Sequence, residues 1–329
     1  MRHKSPHKTN NPNGISPLIP LCGLFLLRTS AIQADLIALG LASVLISPFS
    51  FPMRLTILGT GTSTGVPQIG CTCPVCTSSD PRDKRLRCSA LLEGDGGECI
   101  LIDCSADFRQ QVLNFQALHP ATLREVGSGD PDNPHNLRLF PIDALLITHE
   151  HADHTAGIDD LRPFQVFGDV CIYAEETVAN NLRQRLPYCF RTNKYPGVPS
   201  IELRHIRPHE ALTIGTVNIL PLRVMHGNLP ILGFIFNNRL AYITDMKSIP
   251  EEDEALLKGI DTLIVNGLRV QPHNTHQSIS EAVAFAQRVG ARQTWLTHFS
   301  HSAGLHAESR KLLPENVAFA YDNLDIFIH

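Results

Sequence analysis

Three imidazoles and a short carboxylate crowd into His149-Glu150-His151-Ala152-Asp153-His154, directly after the apolar run Ala144-Leu145-Leu146-Ile147-Thr148. That run reads as a buried strand, so the polar cluster stands at a strand end. Imidazole nitrogen and carboxylate oxygen suit zinc, manganese or iron, and this many donors can serve neighbouring ions. Further metal-competent side chains stand in the same kind of place. His226 follows the strand-like Val217–Leu222 run, Asp245 ends Leu240–Thr244, and His298 ends Thr294–Thr297. Any one of them alone would read as a surface or capping residue. Repeated from strand to strand, the pattern gathers ligands along one edge of packed sheets.

A softer donor set lies upstream. Gly70-Cys71-Thr72-Cys73-Pro74-Val75-Cys76 places its thiols in a turn-like setting between Pro67 and the following polar stretch. Thiolates favour zinc, and this set needs one more donor to close a tetrahedral site. His301, in Thr297-His298-Phe299-Ser300-His301, is the candidate. So closely spaced a set is awkward to pair as disulfides, and the chain reads as cytoplasmic, where thiols stay reduced. Cys88, Cys99, Cys104, Cys171 and Cys189 lack metal spacing and read as packed thiols. His119, His135, His205, His209, His273 and His306 sit in polar or proline-rich surroundings and read as solvated.

The elements that must position these groups alternate irregularly. Apolar runs recur at Leu55–Leu58, Ile100–Ile102, Leu145–Ile147, Val170–Tyr173, Ile201–Leu203 and Ile231–Phe236. Helical patterns fall at Phe108–Leu118, Glu175–Leu186, Glu251–Lys258 and Ser280–Val289, the last opened by a Ser278/Glu281 capping pair. This order predicts a mixed α/β sandwich. Thr122–Leu137, rich in Gly, Asp, Asn and Pro, reads as a mobile insertion, and Phe190–Ser200 as a segment that could overhang the site.

In its motifs the chain resembles the metallo-β-lactamase superfamily, whose HxHxDH signature stands here as His149, His151, Asp153 and His154. The resemblance runs from about Met53 to the C-terminus. It implies a four-layer αββα sandwich with a dinuclear centre on the edge between the sheets. His149, His151 and His226 would hold the first ion, Asp153, His154 and His298 the second, with Asp245 bridging. The strand-end Asp103 falls where the superfamily has an aspartate that can orient a ligand histidine, although an ordinary turn aspartate explains it equally well.

The thiol cluster, the late Thr297–His301 motif and the opening loop Thr60-Gly61-Thr62-Ser63-Thr64-Gly65-Val66-Pro67 narrow the likeness to the PhnP-type cyclic phosphodiesterases, neighbours of the transfer-RNA 3′-processing nucleases. The opening loop is not a P-loop, since no Gly-Lys-Ser/Thr follows. This likeness implies hydrolysis of a small cyclic phosphate ester of the phosphoribosyl 1,2-cyclic phosphate kind. The cofactors would be a pair of divalent ions (manganese, zinc or iron) and a structural zinc on Cys71, Cys73, Cys76 and His301. His276 matches the histidine that assists the leaving group, beside Asp153 and Asp245 at the centre. Competing readings are a transfer-RNA 3′-endonuclease, which would need an RNA-gripping arm, and a non-hydrolytic PqqB-like protein, against which the complete donor set argues.

Composition narrows the partners. The 43% hydrophobic content over 329 residues supports a substantial core, and a net charge of -4 gives no general pull toward nucleic acid. A small phosphate ester is therefore the expected partner, with nucleic acid and a second copy of the chain as open alternatives and no firm membrane partner. Residues 1–52 form an extension apart from the catalytic domain, 53–329. Its apolar stretches Ile15–Leu27 and Leu36–Phe51 are short for a membrane span. Met53, at the head of the first catalytic strand, could equally be the true start, with a disordered segment, signal or anchor as the other readings.

Overall fold

Alternation of side chains across strands sorts the apolar residues of this chain into separate layers. The computed structural model describes residues 52–127, 136–193, 197–311 and 313–328. The readings of residues 1–51 lie outside that range, as does the middle of each proposed insertion. The first sheet contains β1 (Met53–Gly59), β2 (Ser89–Glu93), β3 (Cys99–Ile102), β6 (Ala144–Leu146), β7 (Val170–Ala174), β8 (Ile201–His205) and β16 (Leu324–Ile328), in the order β16-β1-β2-β3-β6-β7-β8. The second contains β9 (Leu212–Ile214), β10 (Val217–His226), β11 (Leu229–Phe236), β12 (Leu240–Ile243), β13 (Thr262–Asn266), β14 (Gln293–Thr297) and β15 (Val317–Phe319), in the order β15-β14-β13-β12-β11-β10-β9. A small ribbon, β4 (Arg124–Val126) with β5 (Leu137–Leu139), flanks the Thr122–Leu137 insertion.

Each central strand is buried on both faces, and the two faces enter different cores. Ile100 and Ile102 of β3 meet Phe234 and Tyr242 of the second sheet, while Leu101 turns to the helix layer outside. Leu240 and Tyr242 of β12 likewise point between the sheets, and Ala241 and Ile243 point outward. Helices α1 (Phe108–Leu118) and α3 (Glu176–Arg185) cover the first sheet through Phe108, Val112, Phe115, Val178 and Leu182. Helix α5 (Ile279–Val289) covers the second through Ala282, Phe285, Ala286 and Val289. The result is the four-layer αββα sandwich that the resemblance implied. Phe234 lies fully buried between the sheets, and its truncation to alanine would cost about 3–5 kcal/mol.

Strand direction and local backbone shape together build the edge that carries the polar side chains. Strands β3, β6, β7 and β8 run parallel, as do β12, β13, β14 and β15, so their carboxyl ends collect on one edge. At that edge Asp103, Asp245 and His298 all adopt φ of 57°. This left-handed conformation is uncommon for residues with a side chain, and it turns the chain sharply off the strand. Helix α5 opens on the expected capping box, with Ser278 and Glu281 satisfying each other's backbone donors, and closes on Gly290 at φ 73°.

Candidate metal centre

The strand-end donors meet. His149 lies just beyond β6, and its Nδ1 sits 2.9 Å from Thr148 Oγ1. Its Nε2 faces His151 Nδ1 at 3.0 Å. His226 ends β10 at a tight hairpin, and its Nδ1 donates to the Thr275 carbonyl at 2.9 Å. That bond leaves Nε2 as the free nitrogen, with its lone pair available to an ion. The donor atoms of His149, His151 and His226 all lie within 4.8 Å of one another. Burial and the neighbouring His154 hold the His149 imidazole well below its ordinary value, in the neutral form that a metal requires.

Beside this trio stand Asp153, His154, Asp245 and His298, again with donors within 4.8 Å. The short helix α2 (Ala152–Thr155) presents the first two. His154 Nδ1 donates to Asp103 Oδ2 at 2.7 Å, and Asp103 also accepts from Thr148 N at 2.9 Å. Asp103 thus both turns the chain off its strand and accepts from the ring of His154. Asp245 Oδ2 lies 3.2 Å from His154 Nε2, and its Oδ1 lies 3.1 Å from His298 Nε2. Asp245 also groups with His226 and His276, so it stands between the two donor sets, where a bridging ligand would.

The fit to metal rests on unpaired atoms. Among the described residues, His154 Nε2 and both ring nitrogens of His298 are buried without a hydrogen-bond partner of good geometry, despite the nearby Asp245 oxygens. Buried polar atoms are almost always paired, and an imidazole lone pair aimed into a ring of carboxylates is explained by a cation. His276 completes the floor. It is buried, with Nδ1 3.7 Å from Asp245 Oδ1 and its ring 4.5 Å from that of His226. Burial, reinforced by His298, pushes it down to about 3.

The thiols gather as well. Cys71, Cys73 and Cys76 place their sulfurs 3.1, 3.6 and 3.6 Å from His301 Nδ1. All are free cysteines, in line with the metal reading over the disulfide one. The Cys76 backbone N–H is the main reason Cys73 falls to about 6, whereas burial pushes Cys76 up to about 11. A buried arginine braces the donor His301 from behind. Arg85 donates to the carbonyls of Ser300 at 3.3 Å and Gly304 at 3.0 Å, and lies 4.8 Å over the Phe299 ring. His298 and His301 therefore share one clamped segment.

A family model described as a beta-lactamase superfamily domain matches residues 98–299. The chain belongs to that superfamily. Among solved structures, a diphosphatase of the PhnP family is 35% identical, with a TM-score of 0.71 over 84% of this chain and 98% of that one. Zinc-bound PqqB from Methylobacterium extorquens shares the fold, at 18% identity and a TM-score of 0.66 over 83% of this chain and 99% of its own. Among curated relatives, an octanoyltransferase of Porphyromonas gingivalis is 42% identical over 277 residues, which is 84% of this chain and 52% of that protein. The chain thus spans about half the length of that relative.

The structure brings His149, His151, Asp153, His154, His226, Asp245 and His298 together, and it places two other histidines differently from the solvated reading. His119 is not solvated: its Nε2 meets Asp325 Oδ2 at 2.9 Å and its ring stacks on Phe115. His273 lies beside the centre, 5.2 Å ring to ring from His276. His209, by contrast, is exposed as the sequence reading expects, although its ring also meets the buried Asp253 at 2.7 Å. The partners Asp325 and Asp253 are ones no local pattern could announce, because they come from other elements. His135 lies outside the described residues.

Proposed function

We propose that this chain is a metal-dependent hydrolase of a small phosphate ester, and that a cyclic phosphodiester is its substrate class. The observation that carries this reading is the position of His276 against the complete donor set, 3.7 Å from Asp245. Phosphoester hydrolysis needs stabilisation of negative charge on phosphorus-bound oxygens and relief of charge on the leaving oxygen. Divalent ions held by His149, His151, His226, Asp153, His154, His298 and Asp245 would polarise the ester and supply a nucleophile at neutral pH. The protein supplies the rest. Asp103 and the Thr275 carbonyl fix the rings of His154 and His226 through their Nδ1 atoms. His276 turns Nδ1 toward Asp245 and keeps Nε2 for the leaving oxygen. Cys71, Cys73, Cys76 and His301 would hold a structural zinc, in a cytoplasmic setting that keeps the thiols reduced.

The likeness to a PhnP-family diphosphatase supports phosphorus chemistry and adds diphosphate esters to the substrates to compare. The 42% identity to a protein named an octanoyltransferase favours a second reading, hydrolysis of an acyl ester or thioester at the same centre. The test is metal content together with turnover of bis(p-nitrophenyl) phosphate, a ribose cyclic phosphate, a nucleoside diphosphate ester, precursor transfer RNA and an octanoyl thioester. The expected outcome is cyclic-phosphate turnover that disappears in Asp153→Ala along with active-site metal. Metal-replete protein that cleaves only the thioester, or nothing, would overturn the proposal.

A further inference from the structure

Another donor group lies apart from both clusters. His209, Glu252 and Asp253 offer one imidazole and two carboxylates with ligand atoms within 4.8 Å of one another, and share no residue with the other sites. His209 stands on the loop between β8 and β9, in the left-handed region at φ 65°, with its N–H bonded to the Pro221 carbonyl at 2.9 Å. Glu252 and Asp253 belong to helix α4 (Glu251–Leu256). The Asp253 side chain is 0% exposed, whereas that of His209 is 44% exposed, so the group opens to solvent on one side only.

The decisive atom is Asp253 Oδ2. Oδ1 of the same carboxylate accepts from His209 Nε2 at 2.7 Å and from the Arg223 backbone N–H at 2.9 Å. Oδ2 is buried and has no hydrogen-bond partner among the described residues. A buried carboxylate oxygen without a donor is costly, and calls for an ion or water. Nearby cations do not neutralise it. The Arg223 guanidinium is committed to Glu175, while Lys258 and Arg288 both face Glu254. Glu251, Glu252, Asp253 and Glu254 crowd the first turn of α4 and draw positive charge toward it.

We propose that His209, Glu252 and Asp253 bind a single divalent transition-metal ion of the zinc type. One nitrogen and two carboxylate oxygens suit such an ion, which would displace the imidazole proton now shared with Asp253, with water completing the shell. Bound there, the ion ties the β8–β9 loop to α4 and to β10, the strand that ends in His226.

The test uses full-length protein loaded with zinc and then freed of its more weakly held metal by dialysis against a mild chelator, titrated calorimetrically with zinc chloride. Wild type should take up one further equivalent and gain melting temperature. His209→Ala and the exposed Glu252→Gln should each lose both effects while keeping wild-type zinc at the other sites and unchanged turnover. Absence of the extra equivalent in wild type overturns the proposal. Persistence of that equivalent in either variant overturns it too, because all of these donors are required.

Discussion

The thiol cluster and the His/Asp centre solve the same problem in opposite ways. The thiol site is local: Cys71, Cys73 and Cys76 lie on one turn, and only His301 comes from elsewhere. The His/Asp centre is global, with donors from the ends of β6, β10, β12 and β14 and orienting groups from β3 and from the loop before α5. A local cluster can bind its ion before the domain is complete, and the bound ion then helps to order the turn. A global one exists only after the sheets have packed, so its precision depends on the whole sandwich. The clusters are joined through one segment, His298–Gly304, which Arg85 clamps at Phe299, Ser300 and Gly304.

Breaking the global cluster should have the largest effect. Asp245→Ala removes the carboxylate that faces both donor sets, and turnover should fall below detection while zinc on the thiols is retained, as metal analysis would show. Equal loss of metal from both clusters would mean that they are not separable. Next comes His276→Ala, for which turnover should drop by about 10²- to 10⁴-fold with active-site metal unchanged. Loss of metal in that variant would make His276 a ligand instead.

Asp103→Ala should weaken metal affinity or activity by about 10- to 100-fold, the usual effect of removing a partner that orients a ligand histidine. Cys73→Ser probes the local cluster. It should release the thiol zinc and lower the melting temperature, yet leave turnover within a few-fold of wild type at low temperature. A collapse of turnover there would show that the Ser300–Gly304 segment transmits the loss to His298.

The smallest effect concerns Asp322, which accepts from Thr60 N at 2.8 Å and Leu86 N at 2.7 Å beneath the opening loop. Burial pushes its carboxyl up from an ordinary 3.8 to about 7. The folded state therefore keeps a proton that the unfolded chain has lost between those values. The resulting stabilisation is fully present below 3.8 and is lost as pH rises through about 7. Denaturation of wild type and Asp322→Asn across this range should show wild type losing ground to the variant as pH increases. A pH-independent difference would show that Asp322 stays ionised throughout.

Much of the sandwich was legible because its elements carry local signals. Phe108–Leu118 forms over the expected range, and Ile279–Val289 begins one residue early under its Ser278 cap. Other elements were hidden. Ser89–Glu93 reads Ser-Ala-Leu-Leu-Glu, a good helix former, yet it is a strand because β1 and β3 hydrogen-bond to it on either side. The Val317–Phe319 strand is too short to show a period, and exists by pairing with β14.

The chemistry was set by residue type and spacing alone: hard donors in His149–His154, soft ones in Cys71–Cys76, and a polar residue at the end of one apolar run after another. Those signals lie between close neighbours in the chain, where propensity and ligand preference act directly. Which histidines gather at the centre, and which ones bond to Asp325 or Asp253, was decided by tertiary structure. So was the choice of Asp103 as the group that holds His154. Each depends on contacts between residues far apart in the chain, and those contacts exist only once strand register and sheet packing have been established.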